Sequence, residues 1–151
     1  MHHTAICCSD LDASLVFWRD GLGFEVLMDE RFRGDWPTLF DAPSDRLRAV
    51  FLGDPARPDA GIVELVDLGA GTDPAPDRAG TATRPHGGVL LVSVLTDVDA
   101  TLSRLAALDL GGPPRRIEVH GIAMATVLDP EGVLVELVHD GAAANLDALR
   151  R

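Results

Sequence analysis

Residues 9–15 read SDLDASL and residues 96–102 read TDVDATL, so one seven-residue stretch occurs twice, 87 residues apart. Every position is identical or replaced by a close chemical relative. The tetrapeptide VELV also occurs twice, at residues 63–66 and 135–138. Because this second offset is only 72 residues, the first copy is longer by 15 residues. The chain therefore consists of two copies of one module, and a repeat of this kind organises the whole fold.

Each copy has the same predicted order of secondary structure. A short apolar strand leads into Asp and Thr residues that can cap a helix, and apolar residues at helical spacing follow. Three strand-like runs complete each copy: 24–29, 47–52 and 61–67 in the first, and 115–120, 122–128 and 133–139 in the second. The sequence DPEG at residues 129–132 predicts a turn that joins the last two strands as a hairpin. The predicted fold class is α+β, with two tandem βαβββ modules.

The module boundaries follow from composition. Residues 1–68 form the first module and residues 86–140 the second. Residues 69–85 are rich in Gly, Ala, Thr and Pro without apolar periodicity, which predicts a linker. Residues 141–151 form a C-terminal tail, to which we assign no function.

The extra length of the first copy falls at residues 29–46, where four large apolar side chains stand among charges. They are Phe32, Trp36, Leu39 and Phe40. We interpret this insertion as a packed surface loop, because a segment of this length needs a small core of its own. It is also our candidate for a cover over the substrate.

Composition narrows the class of protein. The chain has 151 residues, 46% hydrophobic and 25% charged, which is typical of a folded globular protein and excludes disorder and fibres. Acidic residues outnumber basic ones 24 to 13, giving a net charge of −11. Nucleic acid and anionic membranes are therefore excluded as partners.

The predicted cellular location follows from what the sequence lacks. No stretch is long and apolar enough to span a membrane, and the first residues do not have the pattern of a signal peptide. The cysteines Cys7 and Cys8 are adjacent, so they cannot link distant parts of the fold and fit a reducing compartment. We expect a cytoplasmic protein.

Together with GLGF at residues 21–24 and DPEG at residues 129–132, the repeat resembles the vicinal oxygen chelate superfamily. That superfamily includes glyoxalase I, methylmalonyl-CoA epimerase, extradiol dioxygenases, fosfomycin-resistance enzymes and bleomycin-resistance binding proteins. The similarity covers residues 3–140 and is specific to the superfamily rather than to one activity. It implies a glyoxalase-like cupped mixed sheet around a cavity, a divalent metal at the centre and a homodimer.

The resemblance also implies a set of metal ligands. In the superfamily they come from the first and last strands of each module, one residue per strand, and the matching positions here are His3, Glu64 and Glu136. The fourth position, placed as far before the second repeat as His3 is before the first, is Leu90. Leucine cannot bind a metal. His86 lies four residues upstream and could replace it only if the strand register differed.

Glu64 and Glu136 each interrupt a run that is otherwise apolar. Alone, either residue could equally be a solvated sheet residue, but their shared module position favours a common site. Two facing carboxylates repel each other unless a cation or a shared proton lies between them. His3 alone could be a frayed N-terminal residue, but in register with the downstream motif we interpret it as a ligand of Zn, Ni, Mn, Fe or Co.

The remaining candidates are interpreted as structural. We expect Cys7 to lie on the cavity face with His3, and Val92 and Val94 to face the same cavity from the second module. Two further histidines, His120 and His139, are interpreted as solvated or structural residues of their strands.

Two functions compete. The first is a metal-dependent lyase, isomerase or epimerase acting on a small molecule with two adjacent oxygens, in which Glu64 or Glu136 moves a proton. The second is a metal-free protein that binds or confers resistance to a drug-like molecule, which Leu90 and the acidic charge support. An extradiol dioxygenase is disfavoured, because its site resembles two His and one carboxylate and Leu90 removes the second His. We favour the enzyme.

Overall fold

Two βαβββ modules follow one another along the chain, as the repeat predicts. The computed structural model describes residues 3–57, 61–69, 91–119 and 121–141. The chain separates into two units, Met1–Asp77 and Arg78–Arg151. All but Gly69 of the predicted linker, and all but Gly141 of the predicted tail, lie outside the described residues.

The first unit contains one four-stranded mixed sheet, in the order β1-β4-β3-β2. Its elements are β1 (His3–Cys7), α1 (Leu11–Leu15), a π-helical turn (Val16–Gly21), β2 (Glu25–Arg33), α2 (Trp36–Phe40), β3 (Arg46–Gly53) and β4 (Ile62–Asp67). Strands β1 and β4 are parallel, and the other pairs are antiparallel.

The second unit repeats this topology with the strand order β5-β8-β7-β6. Its elements are β5 (Leu91–Thr96), α3 (Val98–Ala107), β6 (Arg115–Val119), β7 (Ile122–Leu128) and β8 (Leu134–His139). The predicted turn before β8 is present, since the Gly132 N–H donates to the Asp129 carbonyl at 3.0 Å. The fold class is therefore that of the glyoxalase-like βαβββ repeat.

The first helix of each module begins at the aspartate that the repeat identifies. The Asp10 carboxylate accepts from the Ala13 N–H at 3.0 Å, and Asp97 accepts from Ala100 at 3.0 Å. These bonds satisfy backbone donors that have no partner inside the helix. After α1 the chain winds as a π turn, with the Leu22 N–H donating to the Phe17 carbonyl at 2.9 Å. The helical spacing does not predict this wider winding.

The two faces of the first sheet have different roles. One face carries Ile6, Val50 and Leu65, which are buried in the hydrophobic core, and α1 contacts β4. Successive strand residues point to opposite faces. The other face therefore carries Ala5 and, in register beside it, Glu64.

Arg48 connects three elements of the first unit. Its guanidinium donates two hydrogen bonds to Asp29, at 2.9 and 2.7 Å, and a third to Asp12 at 3.2 Å. These bonds tie β3 to β2 and to α1. They also favour the ionised carboxylate, so the Arg48 guanidinium holds the pKa of Asp29 below its usual value.

We expect Asp29→Asn to destabilise the protein at pH 7, because the variant loses the charged partner of Arg48. A lowered carboxyl pKa stabilises the fold above the unfolded value of about 3.9, and this contribution disappears as the pH falls through the folded value. Urea unfolding should therefore separate the two proteins at pH 7 and bring them together as the pH falls through the lowered pKa of Asp29. Asp45→Asn, at the more exposed Arg33 pair, is the control and should have a smaller effect. Equal stabilities of wild type and Asp29→Asn at pH 7 would contradict this account.

No helix in the described part of the chain is long and apolar enough to cross a membrane.

Candidate active site

The first unit contains a cleft of about 320 Å³ on the sheet face that carries Glu64. The cleft is lined by side chains from β1, β2, α2 and β3 and from the region of β4. The lining residues are Ala5, Cys7, Phe32, Trp36, Phe40, Leu47, Phe51, Glu64, Val66 and Leu68. Among these residues Glu64 carries the charge, and the rest of the wall is mainly aliphatic and aromatic. A small molecule in the cleft would therefore meet one carboxylate in an apolar wall.

The register of three strands places Glu64 in the middle of the sheet. Ala5 lies opposite it on β1, and Phe51 lies opposite it on β3. The side chain of Glu64 is only 16% exposed. This position explains why a glutamate interrupts the apolar run of β4, since its neighbours on both sides along the strand are buried.

The structure brings His3 and Glu64 together. The His3 Nε2 atom lies 3.0 Å from the Glu64 Oε2 atom, and the His3 side chain is 36% exposed. The imidazole also packs edge-on against Phe51, with 5.4 Å between the ring centroids. These contacts hold His3 beside the carboxylate.

This pair has the chemistry and spacing of half a metal site. Two donors bound at about 2.1 Å to one divalent ion would lie about 3.0 Å apart in octahedral coordination and about 3.4 Å apart at the tetrahedral angle of Zn²⁺. The His3 nitrogen and the Glu64 oxygen have the octahedral separation, which an ordinary hydrogen bond also gives. No group of three metal-binding side chains occurs within the described residues of either unit. The first unit thus offers two donors that fit a divalent ion.

Glu136 occupies the corresponding place in the second sheet. Ser93 lies opposite it on β5, and Thr126 lies opposite it on β7. The Ser93 hydroxyl donates to the Glu136 Oε2 atom at 2.5 Å. Here the second unit differs from the first, because a serine hydroxyl rather than an imidazole is the partner of the carboxylate. That Glu136 binds a metal stays a prediction.

Strand pairing corrects the position assigned to Leu90. Glu64 lies opposite Ala5, two residues after His3, whereas Glu136 lies opposite Ser93, two residues after Leu91. The counterpart of His3 is therefore Leu91.

The error arises because the connection between the first strand and the first helix differs in length between the two modules. The cap Asp10 follows Cys7 of β1 by three residues, but Asp97 follows Leu95, the counterpart of Cys7, by two. A strand position that is counted back from the helix cap is therefore one residue too early in the second module. The same shift makes the placement of Val92 and Val94 wrong, because both pair with residues on the opposite face from Glu136. Leu90 itself lies outside the described residues, as do His86 and His120.

The insertion at residues 29–46 forms part of the cleft. Its first residues extend β2, and α2 then places Trp36 and Phe40 in the wall. The two rings stack, with 6.0 Å between centroids and 13° between planes. A Cβ atom on Gly34 would lie 2.9 Å from Cζ2 of Trp36, so the indole rests directly on the Gly34 backbone. The insertion thus packs at Trp36 but leaves Phe32, Leu39 and Phe40 exposed, and its three aromatic side chains line the cleft.

The Trp36 Nε1 atom is buried and has no hydrogen-bond partner among the described residues. A buried N–H without an acceptor costs about 1–3 kcal/mol. The donor is closed off from solvent, so in this structure it is not available to a molecule in the cleft.

The other predicted residues fall as follows. Cys7 lines the cleft on the same strand face as His3, as predicted. His139 lies at the exposed end of β8, with its Nδ1 atom 3.3 Å from Asp140. Phe51, which the sequence analysis missed, contacts His3 and faces Glu64. Strand alternation could have identified it, because it lies in the middle of a predicted strand.

Comparison with known proteins was made at the levels of family, sequence and structure. The family model of the Glyoxalase/Bleomycin resistance protein/Dioxygenase superfamily matches residues 1–137. The lactoylglutathione lyase-like protein terB of Aspergillus terreus (strain NIH 2624 / FGSC A1156) is 34% identical over 146 residues, covering 91% of this chain and 74% of that protein.

Two solved structures illustrate the structural likeness. The trypanothione-dependent glyoxalase I of Leishmania major has a TM-score of 0.66 and 24% identity, covering 99% of this chain and 93% of that one. TnmS3, an antibiotic-binding protein from Streptomyces sp. CB03234, has a TM-score of 0.56 and 20% identity, covering 92% and 93%. At these identities the likeness shows the fold.

Proposed function

Because the chain belongs to the Glyoxalase/Bleomycin resistance protein/Dioxygenase superfamily, we propose that it is a lyase or isomerase that moves a proton on a small molecule with two neighbouring oxygens. The observation that carries this proposal is the His3–Glu64 pair beside an apolar cleft. A substrate in the cleft meets the Glu64 carboxylate, and the His3 imidazole lies beside that carboxylate. Carboxylates and imidazoles are the groups that most often transfer protons in enzymes.

In this proposal each residue has a separate task. Glu64 takes a proton from the carbon next to a carbonyl and returns it to the neighbouring carbon or oxygen. His3 faces the oxygen side and holds the carboxylate in place, while Phe51 fixes the imidazole ring. The apolar wall keeps water from competing for the proton. A divalent ion held by His3 and Glu64 would supply Lewis acidity toward the two oxygens.

The metal-free binding protein is the second candidate. Two observations support it. The His3 Nε2 and Glu64 Oε2 atoms pair directly with each other at 3.0 Å. In the second unit, Leu91 occupies the position that corresponds to His3 and cannot bind a metal. In that case the pair would hydrogen-bond to the oxygens of a bound molecule without transferring a proton.

We also propose a cytoplasmic homodimer. Cys7 and Cys8 are both free thiols, which supports a reducing compartment, and the family resemblance supports the dimer. Light scattering on the purified protein tests the dimer directly, and a mass of 16.0 kDa would contradict it.

The test of the enzyme is exchange of a carbon-bound proton with solvent. We expect the protein loaded with Zn²⁺, Ni²⁺, Mn²⁺, Fe²⁺ or Co²⁺ to catalyse deuterium exchange next to the carbonyl of 2-hydroxyacetophenone or hydroxyacetone in D₂O, measured by proton NMR. A chelator should abolish the exchange. Binding of these compounds without exchange under any metal would overturn the enzyme and favour the binding protein.

A further inference from the structure

The aromatic residues of this chain are unevenly distributed. The sequence contains five Phe, two Trp and no Tyr, and four of these seven rings line the cleft of the first unit. The four are Phe32, Trp36, Phe40 and Phe51. The other three, Phe17, Trp18 and Phe24, form a group of edge-to-face contacts. Trp36 and Phe51 also pack against a buried hydrophobic cluster of Leu47, Ala49 and Val66, so the wall of the cleft is continuous with the core.

Two of the cleft rings keep much of their surface exposed. Phe40 is 54% exposed and Phe32 is 39% exposed. Removing aromatic surface from water is favourable. These rings therefore offer apolar surface that a bound molecule would bury.

The wall is held in place before any ligand arrives. Trp36 rests on the Gly34 backbone on one side and stacks with Phe40 at an interplanar angle of 13°. The segment that carries them is closed by the Gly34 N–H, which donates to the Asp45 carbonyl at 2.9 Å. A preorganised aromatic wall favours rigid planar groups, because little conformational entropy is lost when they bind.

The size and polarity of the cleft define the rest of the ligand. A volume of about 320 Å³ lies at the small end of ligand pockets and suits a molecule with one or two rings. The charged group of its lining is the carboxylate of Glu64, whose partner is His3. A carboxylate accepts hydrogen bonds, so hydroxyl groups at one end of a flat ring system match this arrangement.

From these observations we infer that the cleft selects a substrate with a planar aromatic ring, and that the insertion carrying α2 is the wall that recognises it. This inference rests on the proposed function, since it takes the same cleft as the substrate site. It assigns to residues 29–46 a role in specificity rather than in chemistry.

Two diols with hydroxyl groups on neighbouring carbons, one phenolic and one aliphatic, test the inference in the absence of metal. Calorimetric titration of the wild type with 2,3-dihydroxynaphthalene and with trans-1,2-cyclohexanediol compares an aromatic ring with a saturated one. We expect the naphthalene diol to bind at least tenfold more tightly and to quench the fluorescence of Trp36. The fully buried Trp18 is the internal reference for that signal.

Two neighbouring positions on α2 give matched variants. Phe40→Leu keeps an apolar side chain and removes the ring. It should lower the affinity for the naphthalene diol by about two- to tenfold, as expected for one aromatic contact. Binding of the cyclohexane diol should not change. Leu39→Ala alters an exposed residue that does not line the cleft and should change neither affinity. Circular dichroism of each variant checks that it folds.

The outcomes separate this inference from the proposed function. Equal affinity of the wild type for both diols, or equal weakening of both by Phe40→Leu, would overturn the aromatic preference. Tight binding of the naphthalene diol that depends on Phe40, without proton exchange under any metal, would support the preference and overturn only the enzyme. Equal exchange of hydroxyacetone and 2-hydroxyacetophenone would support the enzyme and contradict the preference.

Discussion

Glu64→Gln is expected to slow the metal-dependent deuterium exchange of 2-hydroxyacetophenone by a factor of about 10²–10⁴, the usual contribution of a general base. Glutamine has almost the same shape and can still accept a hydrogen bond from His3, so the sheet around it should be preserved. It cannot take up a proton from carbon. Proton NMR in D₂O measures the rate, and thermal unfolding checks the stability of the variant.

Glu118→Gln is the matched control for that experiment. Glu118 lies on β6 and pairs with Ala123, on the opposite face of its sheet from Glu136. The control should exchange at the wild-type rate. If Glu64→Gln exchanged as fast as this control, Glu64 would not be the base, and the chemistry would need another residue.

Leu91→His is expected to raise the affinity for Ni²⁺ or Zn²⁺ by at least about tenfold, in the range by which neighbouring partners alter metal sites. The reason is the shared register of the two modules. His3 contacts Glu64, and Glu64 lies opposite Ala5, two residues after His3. Glu136 likewise lies opposite Ser93, two residues after Leu91. The variant should therefore create a second histidine and glutamate pair. Isothermal titration calorimetry measures the change.

Leu90→His is the control. Counting from the helix caps predicts residue 90 as the counterpart of His3, whereas strand pairing predicts residue 91. We expect no gain in affinity at position 90. A gain there and none at 91 would show that the register assignment is wrong. If neither histidine raises the affinity, Glu136 is not a metal ligand. Glu136→Gln in the wild type then tests the same prediction from the other side, since a ligand lost should weaken metal binding.

The features that the sequence alone determined are those encoded in local patterns. The duplicated stretches at residues 9–15 and 96–102 predict two like modules, and the structure has both. The helix caps Asp10 and Asp97 are visible because an aspartate needs only backbone donors within the next turn. The position of Glu64 inside an apolar run identified a residue of the cleft. Such signals survive without tertiary information because their periods, 2 for strands and 3.6 for helices, depend on the backbone alone.

Other features depended on contacts between distant parts of the chain. His3 and Glu64 meet because β1 pairs in parallel with β4, and nothing near either residue specifies that pairing. The register of β5 was misjudged because one residue fewer connects strand to helix there, and a shift of one residue reverses the face of every side chain. The role of α2 was also beyond local analysis. Its sequence shows an aromatic insertion, but only the packing of Trp36 on Gly34, and of the segment over the sheet, makes that insertion a wall of the cleft.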